Sequence, residues 1–146
     1  MGAALVQHPE MYRAVVSFVG IYDMLRSEVT TPNAIFNVTE YGSVKDADQF
    51  KALYAYSPYQ HVTDGTAYPA VLFLTGGNDP RVNPANSRKM TARLQTATNS
   101  KAPILLRTSS NTGHIDSSLD EQIEEGADVW AFLFDQLNLH IEARPK

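Results

Sequence analysis

Apolar positions fall into two kinds of pattern along the chain. Three runs are short and nearly continuous: Ala14 to Val19, Ala70 to Leu74, and Ala102 to Arg107. Runs of this length, rich in branched and aromatic residues, fit strands buried on both faces. Elsewhere apolar residues recur at helical spacing. Ile123, Ala127, Trp130, Phe134 and Leu137 form one stripe of a helix running from about Leu119 to Leu139, with Ser118 and Glu121 at capping-box spacing. Met90 and Leu94 mark a helix that reaches about Gln95, capped by Asn86 or Ser87, with Arg88, Lys89 and Arg93 largely on its other side. Phe50, Leu53 and Tyr54 mark another over Asp46 to Ala55, stopped by Ser57-Pro58. Residues 1–8 read as the end of a helix halted at Pro9. Residues 21–45 are polar and irregular, with room for a short helix at Tyr22 to Ser27. A connection this long in a compact domain is often a binding loop or lid. The tail, Ile141 to Lys146, is expected to fray.

Strands alternating with helices predict an α/β fold with a mainly parallel sheet of about three strands, flanked by helices and joined by right-handed crossovers. Three strands are few for such a sheet, and one edge lacks protection. The chain also opens inside an element. These features predict that the sheet continues in an upstream segment or that a second copy covers the edge, giving a homo-oligomer.

Composition narrows the partners. The 146 residues carry 12 basic and 16 acidic side chains, a net charge of −4, with no basic stripe, so a nucleic-acid surface is not expected. There are no cysteines, which excludes disulfides and thiolate metal sites. No apolar run approaches the roughly 20 residues of a membrane span, and the first residues lack the basic start and apolar centre of a signal peptide, so no membrane contact is expected and the compartment stays open. Small molecules, peptides or proteins remain as partners.

The chemistry lies in the loops after the second and third runs. Gly76-Gly77-Asn78-Asp79-Pro80-Arg81 follows one, and Gly113-His114 follows the other. In a parallel sheet both loops leave the same edge, where open α/β sheets place their ligands. Asp79 and His114 can therefore meet although they are far apart in sequence. A carboxylate beside an imidazole fixes its tautomer and stabilises the imidazolium, which is the orienter-and-base half of a nucleophilic triad. The Asp-then-His order is that of α/β-hydrolases after their serine. The plainer alternative is a turn aspartate and an unrelated surface histidine. His8, His61 and His140 have no comparable setting, and no His-Glu-x-x-His or tight ligand cluster suggests a metal. No cofactor is expected. A Gly-x-Ser-x-Gly nucleophile elbow does not occur in these residues; Gly42-Ser43 and Gly65-Thr66 are not such elbows.

Taken together, the stretches resemble one family. MGAALVQHPEMYRAVVSFVGIYDMLR resembles the segment after the Gly-Gly-Ser-x-Gly-Gly elbow of the prolyl oligopeptidase family, whose peptidase domain has the α/β-hydrolase fold. TEYGS and YAYSPYQHV resemble its Thr-Asp-Tyr-Gly and Tyr-Ser-Pro-x-x-Asn-Val stretches. FLTGGNDPRVNPANSRKMTARLQ resembles its Asp-Asp-Arg-Val-x-Pro loop and following helix, and NTGHIDS its histidine loop. The resemblance implies that residues 1–146 are the carboxyl-terminal portion of a peptidase catalytic domain, without the elbow and the preceding region. It implies a serine peptidase acting on peptides. In it Asp79 and His114 are the triad aspartate and histidine, Arg81 hydrogen-bonds the substrate backbone, and Val82 and Tyr41 line the pocket for the residue before the cut. The isolated chain is expected to be inactive. Pro80 replaces a second acidic residue, Ile115 follows the histidine where glycine is usual, and Asn37 falls near the tryptophan of proline-specific members. Strict proline specificity is therefore not implied. Another α/β-hydrolase such as an esterase, or a non-catalytic α/β binding or assembly module, are the alternatives.

Overall fold

The most apolar run forms the middle of the sheet. A computed structural model of the chain describes residues 1–30, 34–110, 112–114 and 118–140. In it β1 (Ala14–Phe18), β2 (Ala70–Gly76) and β3 (Ile104–Ser109) lie side by side in that order, all parallel. Every residue of β2 is buried, as a strand with neighbours on both sides and helices on both faces requires. The third strand begins two residues later than the apolar pattern predicts and extends to Ser109. Pro103 has no N–H to donate, so it stays outside the strand, although its carbonyl accepts from Val71 at 2.9 Å. The polar residues Arg107, Thr108 and Ser109 join because they pair in register with Leu74, Thr75 and Gly76.

Side chains alternate across the sheet and build two cores. On one face Val15, Val71, Phe73 and Ile104 pack with Leu5 of α1 (Gly2–Gln7), with Met90 and Leu94 of α5 (Ala85–Ala97), and with Tyr22 and Tyr68. On the other, Ala70, Leu72 and Leu74 meet Phe132 of α6 (Leu119–Leu137). The layers are therefore helix, sheet and helix. The face that α6 turns inward is not the predicted one. Phe132 is buried, with Val129 and Leu133 beside it. Ile123 and Trp130 of the predicted stripe are 61% and 62% exposed. Charge accounts for the choice. Arg107 of β3 bonds Glu121 at 3.0 Å, Glu125 at 3.5 Å and Asp128 at 2.7 Å. Residues 121, 125, 128 and 132 follow each other at spacings of four and three, so holding the carboxylates on Arg107 turns Phe132 to the sheet. The Ser118 cap forms as expected, its hydroxyl accepting from the Glu121 amide at 3.2 Å.

The stretch expected to be irregular contains two helices, α2 (Met24–Thr30) and α3 (Ala34–Tyr41). The first replaces the short helix expected from Tyr22. The second has Asn, Thr and branched residues, which are mediocre helix formers. Tertiary contacts hold its end: Glu28 accepts from the Ser43 hydroxyl and the Val44 amide, both at 2.9 Å, and pairs with Lys45. Gly42 ends the helix at φ +96, a left-handed conformation that glycine tolerates. Helix α4 (Ala47–Tyr56) is capped by Asp46 and buries Leu53, whereas the expected partners Phe50 and Tyr54 stack on each other and stay largely exposed. The cap expected from Asn86 or Ser87 is also corrected. Helix α5 starts at Ala85, whose amide donates to Asn83 Oδ1 at 2.9 Å. Asn86 lies inside the helix, buried, and accepts from the Tyr22 and Asp23 amides. The tail expected to fray, residues 141–146, lies outside the described residues.

Asp23 ties these parts together. It is buried and bonded to Lys89, Arg26 and Gln60, from three separate elements. Burial by itself would raise the carboxyl, but the hydrogen bonds from Lys89, Gln60 and Arg26 outweigh it and hold the group below the ordinary carboxylate range. A depressed carboxyl stabilises the fold fully above its unfolded value, about 4, and loses that contribution as pH falls through the folded value. Asp23→Asn is therefore expected to be about 1–2 kcal/mol less stable at neutral pH, with the gap to the natural protein closing in acid. Urea unfolding between neutral and strongly acidic pH reads this; a gap that does not narrow in acid would show that the charge contributes nothing.

Candidate active site

The loops after β2 and β3 are stitched to each other before either side chain of interest is reached. Gly77 N–H donates to the Ser109 carbonyl at 2.8 Å, and Asn78 donates from its amide to Thr112 and from its side chain to Ser110. Gly76 allows the contact. A Cβ there would stand 2.2 Å from the Gly113 carbonyl oxygen and 2.7 Å from that of Thr112. Backbone approach of this kind is open only to glycine.

Asp79 then turns back into the fold. It is 6% exposed. Its Oδ1 accepts from the Arg81 and Val82 amides at 2.8 and 2.9 Å, which closes an Asx-type turn, and its Oδ2 lies 2.8 Å from His114 Nδ1. One carboxylate oxygen is thus fixed by backbone and the other faces the ring. A charged acceptor at Nδ1 places the imidazole proton there and leaves the Nε2 lone pair free. Among the described residues nothing bonds Nε2, and the ring is partly open to solvent.

His114 stands between two clefts. A cleft of about 300 Å³ is bounded by Phe18, Val19, Thr75, Gly113, Gln122 and Glu125. The other, about 530 Å³, is bounded by Phe36, Asn37, Glu40, Tyr41, Arg81 and Val82. The five residues singled out from sequence therefore converge: Asp79 and His114 in contact, with Arg81, Val82 and Tyr41 beside the histidine. Val82 is buried, and Tyr41 is partly exposed. Hydrogen bonding to the Glu40 carboxylate, assisted by partial burial, pushes the Tyr41 phenol up. Ile115 lies outside the described residues. His8 and His61 are spent elsewhere, on Glu10 and on the Tyr54 carbonyl. Among the described residues no three His, Asp or Glu side chains could share a metal, and no helix is long and apolar enough to cross a membrane.

Three further residues shape the site and escaped sequence reasoning. Val19 has φ +41, an outlier for a branched residue, and borders both clefts. Strain of this kind concentrates at functional sites, and no sequence signal marks it. Thr75 lines the smaller cleft, and its buried hydroxyl has no partner among the described residues. Asn83 donates its side-chain amide to the Thr30 carbonyl at 3.1 Å, which ties the Arg81 loop to the end of α2. The Asn-Pro pair at 83–84 is its only trace in sequence.

Comparison with known proteins bears on this geometry. The model of the prolyl oligopeptidase family matches residues 1–140. A prolyl endopeptidase of Dictyostelium discoideum is 36% identical over 145 residues, covering 97% of this chain and 19% of the relative. One from Elizabethkingia meningoseptica is 33% identical over 141 residues, covering 95% of this chain and 20% of the relative. Among solved structures, a prolyl endopeptidase from a structural and mechanistic study of two such enzymes superposes with a TM-score of 0.91 at 38% identity, over 95% of this chain and 20% of its own. Prolyl oligopeptidase B from Galerina marginata superposes with 0.89 at 26% identity, over 97% of this chain and 20% of its own. The chain spans about a fifth of the length of these relatives. From the family match over nearly its whole length, and from a parallel sheet that superposes on theirs, the chain belongs to the prolyl oligopeptidase family and shares its α/β-hydrolase fold.

Proposed function

We propose that residues 1–146 form the distal part of the catalytic domain of a serine peptidase of prolyl oligopeptidase type, and that they supply the aspartate and histidine of its Ser-Asp-His triad. The observation that carries this is the 2.8 Å contact between buried Asp79 and His114 Nδ1, with Nε2 unbonded among the described residues. In this reading Nε2 takes the proton of a serine hydroxyl from outside these residues as that oxygen attacks the peptide carbonyl. The imidazolium, held by Asp79, then gives the proton to the leaving amine. Arg81 offers its guanidinium donors to substrate carbonyls. Val82 and Tyr41 form walls for the residue before the cut. The sheet leaves one side of β1 and of β3 unpaired among the described residues, and pairing there with upstream chain or with a second copy belongs to the same proposal.

The 146 residues contain no Gly-x-Ser-x-Gly elbow, so the isolated chain is expected to hydrolyse no peptide and to resist a fluorophosphonate serine-hydrolase probe. A form extended upstream is expected to gain one probe adduct by intact mass, and to lose it on His114→Ala. An adduct on the isolated chain would overturn the division of the triad, and no adduct on either form would overturn the hydrolase reading.

A further inference from the structure

Arg107 and Ser109 stand on one face of β3, at the point where the strand gives way to the loop that carries His114. Both are drawn to α6, the helix that begins where that loop ends. The Arg107 guanidinium donates to Glu121 at 3.0 Å, to Glu125 at 3.5 Å and to Asp128 at 2.7 Å, and it also donates to the Ser109 hydroxyl. That hydroxyl hydrogen-bonds Glu121 in turn. The bonds from Ser109 and from Arg107 hold the Glu121 carboxyl below the ordinary carboxylate range. The Ser109 carbonyl accepts from the Gly77 amide of the Asp79 loop at 2.8 Å and from the Thr112 hydroxyl at 3.3 Å. One strand end therefore holds the Asp79 loop, the approach to His114 and the first turns of α6. Among the described residues no other cation bonds Glu121, Glu125 or Asp128.

We infer that Arg107 is a positioning residue for His114: with Glu121 and Glu125 it clamps together the two ends of the loop that holds the imidazole. The inference rests on the triad reading above and adds a residue that acts on the reaction without touching substrate. A segment tied at both ends samples fewer conformations than one tied at a single end. The clamp also lies against the site, since Glu125 and His114 border the same cleft of about 300 Å³. Seating α6 on the sheet is a separate task, served farther along the helix by Asp128 and Phe132. The cluster is thus divisible into a loop end, Glu121 and Glu125, and a helix end, Asp128. Misplacing a catalytic group by about 1 Å costs on the order of 10²-fold in rate, so the loop end weighs far more on turnover than a surface ion pair weighs on stability.

The test separates the two ends. A proton held between His114 Nδ1 and the Asp79 carboxylate gives a signal far downfield in the proton NMR spectrum, and exchange with water removes it once the ring is no longer held. In the 146-residue chain, Glu121→Ala is expected to lose this signal while folded. Asp128→Ala, which breaks the shorter ion pair, is expected to keep it. In a form extended upstream, Arg107→Leu should lower kcat by about 10²-fold with KM unchanged, because the Arg81 and Val82 side of the site is not disturbed. Should Arg107→Leu fail to fold, the two alanine variants decide alone. A signal that survives Glu121→Ala, or that is lost equally in Asp128→Ala, would overturn the inference and leave the triad reading standing, as would an unchanged kcat in folded Arg107→Leu. Absence of the signal from the natural chain would remove the triad reading itself, and the inference with it.

Discussion

Asp79→Asn is expected to lower the turnover of a peptidase containing this chain by about 10⁴-fold while leaving its fold intact. The substitution is isosteric. Its remaining carbonyl oxygen can still accept from the Arg81 and Val82 amides, which fixes the side chain in place. The amide nitrogen then faces His114 Nδ1 as a donor. To accept from it, the imidazole must move its proton to Nε2, and in the proposed mechanism Nε2 is the atom that takes a proton from the nucleophile. The site keeps its shape and loses its base. Two measurements read this. Steady-state hydrolysis of a peptide substrate should show the loss in kcat. In the proton NMR spectrum of the 146-residue chain, the downfield signal of an Nδ1–H held by a carboxylate should be present in the natural chain and absent in the variant. A variant that keeps a tenth of the turnover would mean that the Asp79–His114 contact is structural and that another group serves the histidine.

Gly76→Ala is expected to do damage of a different kind, with one added methyl group. The new Cβ would meet two backbone oxygens, those of Gly113 and Thr112, at 2.2 and 2.7 Å. Backbone cannot rotate aside as a side chain can, so one loop must move. Overpacking typically costs about 1–3 kcal/mol, and a clash with fixed backbone belongs at the top of that range. The more specific consequence is geometric. Gly113 precedes His114, so the loop that yields is the one carrying the imidazole. The variant should unfold at lower urea concentration and should also lose the downfield Nδ1–H signal while still folded. Loss of stability with the signal retained would show that strand β2 moves instead and that Gly76 has no role in placing His114.

Much of this site can be read before any coordinates, because strand order and parallel direction do most of the placing. Three apolar runs separated by helical stretches bring the loop with Asp79 and the loop with His114 to one sheet edge. Tyr41 joins them only through the resemblance of TEYGS to the family's Thr-Asp-Tyr-Gly stretch. What resists reading depends on contacts distant in sequence. Helix α3 has weak helix formers and is held by Glu28 of the preceding helix, so its own sequence does not announce it. Helix α6 offers two apolar faces, and periodicity cannot rank them. Arg107, on a strand, makes the choice by gathering Glu121, Glu125 and Asp128. The start of α5 at Ala85 is not legible because Asn86 looks like a better cap, and Asn86 is instead committed to the backbone amides of Tyr22 and Asp23, distant in sequence. Val19 is the extreme case. Nothing in a valine at a strand end indicates a left-handed conformation, which follows only from how the chain must turn between β1 and α2.

The outward face of α6 has a practical consequence. Trp130, on that face, is the one tryptophan in the sequence. Its indole stands in water beside Phe134, far along the helix from the end that leads to His114. The chain therefore carries its own fluorophore at a single known place. A blue shift of its emission, or protection from an added quencher, reports that something has come to lie on the outer side of α6. Events confined to the histidine loop leave that signal unchanged, so assembly and ligand binding can be followed separately in one unlabelled sample.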